Sequence, residues 1–466
     1  MNDCKGNVRD VQIAYIGGGS RGWAWTFMTD LALEPSMSGC IRLYDIDREA
    51  AKANASIGNR LSTRPEAVGK WRYETADTLQ DALTGADFVV ISILPGTFDE
   101  MAVDVHMPER LGIWQSVGDT AGPGGMMRGL RTVPMFIEIA RAVREFSPQA
   151  WVINYTNPMS LCVKTLYHEF PQMKAFGCCH EVFGTQKVLK GILEETRGFS
   201  GIDRRDIHVN VLGINHFTWF DYASYQGMDL FPVYEEYVDA HFEEGFAERD
   251  KNWANDSFAC AHRVKFDLFR RYGLIAAAGD RHLAEFMPGN EYLDSPRTVE
   301  SWKFGLTTVD WRKQDLKKRL EKSRRLLSGE EDVELSPTGE EGILLIKALC
   351  GLTRVVSNVN TPNTAGQIPN LPGGAVVETN ALFERDAVRP VQAGRLPESI
   401  KALVMPHVEN HERILKAALT GDRSLVLEAF MADPLVKGKG CSWEQVKKLI
   451  DDMLEGTRAY LPGMWF

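Results

Sequence analysis

The chain has 466 residues, 44% of them apolar and 25% charged, enough for two or three domains around a large core and unlike a disordered, collagenous or membrane-embedded sequence. Against 63 acids stand 53 bases, and the net charge of -10 disfavours nucleic acid or anionic lipid as the main partner while suiting a small-molecule substrate. The start MNDCKGNVRD lacks a basic segment followed by an apolar one, and no apolar run approaches about 18 residues, so neither a signal peptide nor a spanning helix is expected and the protein is read as cytoplasmic. Cys4, Cys40, Cys162, Cys178, Cys179, Cys260, Cys350 and Cys441 lack disulfide-framework spacing and any CxxC pair, which suits a reducing compartment.

Up to about residue 200, short β-branched runs alternate with longer helical patterns, the signature of a Rossmann-like, doubly wound α/β domain with a parallel sheet. Predicted strands are VQIAYI, CIRLYDI, DFVVISI, WVINYT and KAFGCC, and predicted helices include residues 23–33, 48–61 and 132–145. From residue 201 to 466 the texture changes to a second, mixed α+β domain: HVNVLGINHFTWFDYASYQ reads as a strand or hairpin pair, and residues 311–327 and 406–419 read as helices. The stretch NTPNTAGQIPNLPGGAVVET reads as a long ordered loop between two helical blocks, placed to line a site.

After the first strand, Gly17, Gly19 and Gly22 satisfy GxGxxG and open a helix near Trp23, with Ser20 inside the turn. Glycine is needed where the backbone turns tightly and approaches a pyrophosphate whose charge faces the helix amides. At the end of the second strand Asp45 is spaced to accept from ribose hydroxyls, which points to NAD rather than NADP, while Asp47 is either a second such acid or a helix N-cap. The segment 117–125, VGDTAGPGG, is a glycine-rich loop before a helix with one carboxylate, Asp119; it reads as a lid, a phosphate cradle or a plain connection. Asn157 ends the fourth strand, where cofactor and substrate meet in such sheets. Cys179 follows the fifth strand and His216 lies on a new one; thiolate plus imidazole with open positions would hold a divalent transition metal as a Lewis acid, although on spacing alone an inert buried thiol and a satisfied core histidine are the better reading.

Together, the GxGxxG start, GDTAGPGG, NYTNPM, Cys-His-Glu-Val and Gly-Ile-Asn-His-Phe, in this order, resemble the family 4 glycoside hydrolases, glycosidases dependent on NAD and manganese. Cys-His-Glu-Val resembles the branch acting on α-galacturonides. The resemblance implies a lactate/malate dehydrogenase-like sheet, a homodimer or homotetramer, and a route through oxidation at C3 of the sugar, deprotonation at C2 and elimination at C1. It further implies that Cys179 and His216 ligate Mn2+ or another divalent metal and that Gly17, Gly19, Gly22 and Asp45 contact NAD. Asn157 would touch sugar and nicotinamide, and Asp280 would be the base, with Tyr272 the alternative. Asp119 or His180 would serve as the acid, and Arg281 or His282 would pair with a C6 carboxylate. Other sugars of the same family, a 2-hydroxy-acid dehydrogenase and an NAD-sensing regulator are the competing readings.

Overall fold

A computed structural model describes residues 2–4, 6–247 and 258–466. Its strands, in chain order, are β1 (Asn2–Cys4), β2 (Asn7–Ile16), β3 (Met37–Tyr44), β4 (Lys70–Thr75), β5 (Phe88–Ile91), β6 (Trp151–Asn154), β7 (Lys174–Gly177), β8 (His208–Ile214), β9 (Phe217–Tyr225), β10 (Met228–Asp229), β11 (Ile275–Ala276), β12 (Val355–Pro362), β13 (Val376–Glu384) and β14 (Ala387–Pro390).

The parallel order β4-β3-β2-β5-β6-β7 is that of a dinucleotide-binding fold, with its crossover next to β2. Its central strands are apolar on both faces, as burial between two helix layers requires: Val90 and Ile153 pack with Leu31 and Ile346 on one side, Val89 and Val152 with Phe136 and Leu166 on the other. All five predicted strands are present. The sixth, β4, escaped sequence reading because KWRYET alternates exposed and buried residues at a sheet edge and offers no apolar run.

Helices Trp23–Leu33 and Arg48–Leu61 stand where the pattern placed them. Asp47 caps the second through Ala50 N–H at 3.0 Å. The helix expected over residues 132–145 begins earlier, spanning Gly122–Phe146, so the Gly-Pro-Gly-Gly segment expected as loop is its first turn. Close packing explains the glycines: a Cβ at Gly125 would lie 2.4 Å from the Thr120 backbone.

Beyond residue 200, β8 and β9 form the expected hairpin, with Ile214 opposite Phe217 and Asn215-His216 as the turn. Together with β10 and β11 they make a second, antiparallel sheet. The expected division near residue 200 separates the two sheets only as far as residue 355. Strands β12, β13 and β14 then cross back and extend the first sheet antiparallel beyond β7, with Asn360 opposite Gly177. Thus the stretch expected as a loop between helices joins two strands, and its ends belong to β12 and β13.

Arg131, on the long helix, is fully buried and grips Asp104 with both terminal nitrogens, at 3.0 and 2.5 Å. Through its carbonyl, Asp104 also holds Gln115, which accepts from Gly124 N–H, so this pair lies beneath the loop that carries Asp119. Asp104→Ala leaves a buried guanidinium uncompensated and should cost about 3–5 kcal/mol. A clear fall in the urea unfolding midpoint is expected, and an unchanged midpoint contradicts this role.

Candidate active site

The glycine loop leaves β2 at the carboxyl edge of the sheet. Gly17 has φ +94°, and a Cβ there would lie 2.0 Å from the Ser92 carbonyl oxygen, so only glycine is accommodated. At Gly22, the residue before the Trp23–Leu33 helix, a Cβ would meet the Arg319 guanidinium at 2.3 Å. Asp45 braces the loop, accepting from Gly19 N–H at 2.8 Å with one oxygen and from Asp47 N–H at 2.9 Å with the other. Ser20 is half-buried in the same turn. At the end of β6, the Asn157 carbonyl accepts from Arg128 Nε at 3.0 Å, while its buried side-chain oxygen has no partner among the described residues. A tight loop at a helix start and an orphaned amide oxygen on a neighbouring strand end are what a dinucleotide with a polar ligand beside it would use.

Asp119, His216 and His282 converge, their ligating atoms all within 4.8 Å of one another. The two imidazole rings are 4.1 Å apart. Burial and the adjacent His282 push His216 down to about 3, so it is a neutral imidazole at physiological pH. Thr120 donates its hydroxyl proton to Asp119 at 2.7 Å and lies 3.3 Å from His216 Nδ1, an arrangement in which Nδ1–H donates to Thr120 and Nε2 keeps its lone pair. Burial raises Asp119, but Arg128 and the two histidines outweigh it and hold the carboxyl well below its ordinary range. His282 Nδ1 is buried without a hydrogen-bond partner among the described residues. Two imidazoles, one ionised carboxylate and an orphaned ring nitrogen fit a divalent transition metal.

Cys179 is buried outside this trio and beside it. Its thiol faces the Asn215 side chain, and burial, reinforced by Glu378 and Glu181, pushes it well above the ordinary thiol value. The His216 turn is tied to it by a buried network: Asn215 Nδ2 donates to Glu378 at 3.1 Å, Asn358 Nδ2 to the other Glu378 oxygen at 2.7 Å, and the same amide to the Cys179 carbonyl at 3.1 Å.

The remaining expected residues divide. Asp280 is fully buried, accepts from Val264 and Lys265 N–H at 3.2 and 3.1 Å, and is pushed up to about 6 by burial against the pull of Lys265. It forms a second donor group with Cys260 and His262. Tyr272 is half-buried, its ring edge-on to Trp219 at 6.0 Å. His180 is partly exposed, 5.7 Å from the Trp23 ring and 3.3 Å from Glu340. Arg281 bonds Thr307 and lies over the Phe258 ring at 4.9 Å.

Sequence reading passed over Thr120, Arg128, Glu181, Glu285 and Arg312. Glu181 accepts from Gly279 N–H at 2.8 Å and stands 3.6 Å from His282; its place in Cys-His-Glu-Val was the available signal. Glu285 receives Val117 and Gly118 N–H at 2.7 and 2.9 Å, clamping the Asp119 loop, and burial pushes it up to about 7.

If the Asp119 trio is the metal centre, His216→Ala and His282→Ala should each weaken Mn2+ binding in equilibrium dialysis by at least roughly tenfold. Cys260→Ala should leave it unchanged; the reverse pattern moves the centre to the Asp280 group.

The sequence matches the family 4 glycosyl hydrolases over residues 12–195 and the C-terminal domain of that family over residues 211–436. It is 71% identical over 460 residues to an alpha-galacturonidase of Lachnoclostridium phytofermentans, covering 99% of this chain and 98% of the relative. The fold superposes on a Bacillus subtilis protein described as a glucosidase with a TM-score of 0.91 at 50% identity, over 96% of this chain and 100% of the other. A 6-phospho-alpha-glucosidase from gut microorganisms, solved with NAD and Mn2+, shares the fold at a TM-score of 0.80 and 20% identity, over 97% and 99% of the chains. The chain belongs to family 4 of the glycosyl hydrolases.

Proposed function

We propose that this enzyme hydrolyses α-galacturonides, using NAD and a divalent metal such as Mn2+. The observation that carries the reading is the convergence of Asp119, His216 and His282 within one shell. Support comes from the glycine loop on the first sheet and from the alpha-galacturonidase name of the relative at 71% identity. NAD would supply a reversible hydride acceptor for C3 of the sugar, and the metal an electrophile for its oxygens.

The chain's own groups account for the rest. The tight turn of Gly17, Gly19, Ser20 and Gly22 would bring the backbone and the helix start up to the pyrophosphate, with Asp45, which braces that turn, toward the ribose and the Asn157 oxygen, unpartnered among the described residues, toward sugar or nicotinamide. His216, His282 and Asp119 would hold the metal, with the Cys179 thiol beside them as the further candidate ligand. Neutral imidazoles need not lose a proton to bind, whereas the thiol must. Asp280, ionised above pH about 6, takes the C2 proton; Tyr272, edge-on to Trp219, is the second choice. Asp119, held ionised, has no proton to give at neutral pH, so our choice for the leaving-group acid is His180, which stands 3.3 Å from Glu340.

Among the described residues no helix is long and apolar enough to cross a membrane. We place the enzyme in the cytoplasm, a reading supported by free thiols at Cys40, Cys162, Cys178, Cys179, Cys260, Cys350 and Cys441.

Incubation with digalacturonate in deuterated water tests the whole proposal. Galacturonate carrying deuterium at C2 is expected, with activity lost on chelation by EDTA or omission of NAD. Cleavage that survives both omissions, or net NADH accumulation without cleavage, contradicts it.

A further inference from the structure

Helix Val309–Ser328 lies over both parts of the site and brings two arginines to one face. Arg319 reaches the glycine loop, donating from Nη1 to the Arg21 carbonyl at 3.1 Å beside Gly22. Arg312 stands two turns earlier, about 10 Å along the axis, toward the metal donors: the charges acting on it are Asp119, Arg281, Arg128 and Glu285. Three guanidinium groups therefore gather around one firmly ionised carboxylate, Asp119, with Glu285, pushed up to about 7 by burial, only partly charged.

The three arginines are not equally engaged. Arg128 Nε serves the Asn157 carbonyl, and Arg281 serves Thr307 and the Phe258 ring. Arg312 has a buried Nε without a hydrogen-bond partner, and its guanidinium takes part in none of the side-chain hydrogen bonds or ion pairs among the described residues that frame this site. A guanidinium whose Nε is buried without a partner among the described residues, with like charges around it, gains a charge-assisted pair when an anion arrives. That anion is not the cofactor's pyrophosphate, because the glycine loop lies at the Arg319 end of the helix.

We propose that Arg312 is the specificity residue for the substrate's C6 carboxylate, binding it through the guanidinium fork while Arg128 and Arg281 supply the surrounding positive field. This rests on the galacturonidase reading above. It moves the main carboxylate contact from Arg281 and His282 to a residue with free donors, leaving His282 to the metal.

The test compares digalacturonate with its C6 methyl esters on the holoenzyme. Arg312→Gln should raise KM for the acid about 10- to 100-fold, with kcat changed only a few-fold, and erase the preference for acid over ester. Arg312→Lys, which keeps the charge without the fork, should fall between. Binding of free galacturonate to the NAD- and Mn2+-loaded enzyme, followed by calorimetry, should weaken in parallel. A retained preference in Arg312→Gln, or equal loss on acid and ester, overturns the assignment. Wild-type turnover of digalacturonate tests the underlying reading separately. Wild-type enzyme that cleaves only neutral or 6-phosphorylated glycosides overturns both.

Discussion

Glu378 receives a side-chain amide on each oxygen, from Asn215 at 3.1 Å and from Asn358 at 2.7 Å, and the rest of the site depends on this buried carboxyl. Asn215 belongs to the hairpin turn that carries His216; Asn358 and Glu378 belong to the strands that return to the first sheet, and Asn358 also holds the Cys179 carbonyl. The two sheets are thereby locked with the β8–β9 turn facing the carboxyl ends of β6 and β7. Burial pushes Glu378 up to about 7 despite its hydrogen bonds, so near neutrality it carries less than a full charge in a place where water cannot compensate one. Removing either amide would leave an unsatisfied oxygen in the core, which makes the join specific as well as stable.

Around this join the charges are arranged for a ligand rather than for the bare protein. His216 and His282 are both pushed toward the neutral form by burial, yet they are flanked by Asp119 and Glu181, both held well below the ordinary carboxyl range. Ionised carboxylates next to neutral imidazoles make a preformed place for a cation. On the other side the three arginines concentrate positive charge with one guanidinium unspent. A metal at one wall and an anionic substituent at the other would hold a sugar ring in one orientation, and orientation is what a sequence of reactions at C3, C2 and C1 requires.

Much of this was legible in the sequence, for reasons that can be named. The glycine loop and its acid are a local pattern within one strand-turn-helix unit, and the parallel strands are continuous apolar runs. His216 and Cys179 could be singled out because each closes a strand near a recognisable motif. What could not be read is what depends on distant pairing. Strand β4 is half-exposed, and β12 and β13 join the first sheet only after a long excursion, so Glu378 and Asn358 gave no sign of contacting the His216 turn. Asp119 was expected as an acid and lies instead beside two histidines, with Arg128 the main charge that holds it ionised. His282 was expected at the substrate and lies against His216, in the first turn of the helix Asp280–Glu285, whose preceding Gly279 donates its backbone amide to Glu181. Arg312 sits in a strongly charged helix, where its neighbours Lys313 and Arg319 make surface ion pairs, and nothing in the sequence sets it apart.

The position of the metal relative to this join decides which residues form the centre. Anomalous diffraction at the manganese edge, from crystals grown with Mn2+ and NAD, locates it directly. One strong peak is expected, bounded by Asp119, His216 and His282, with Cys179 on its border. A peak among Cys260, His262 and Asp280, or none near His216, would contradict it.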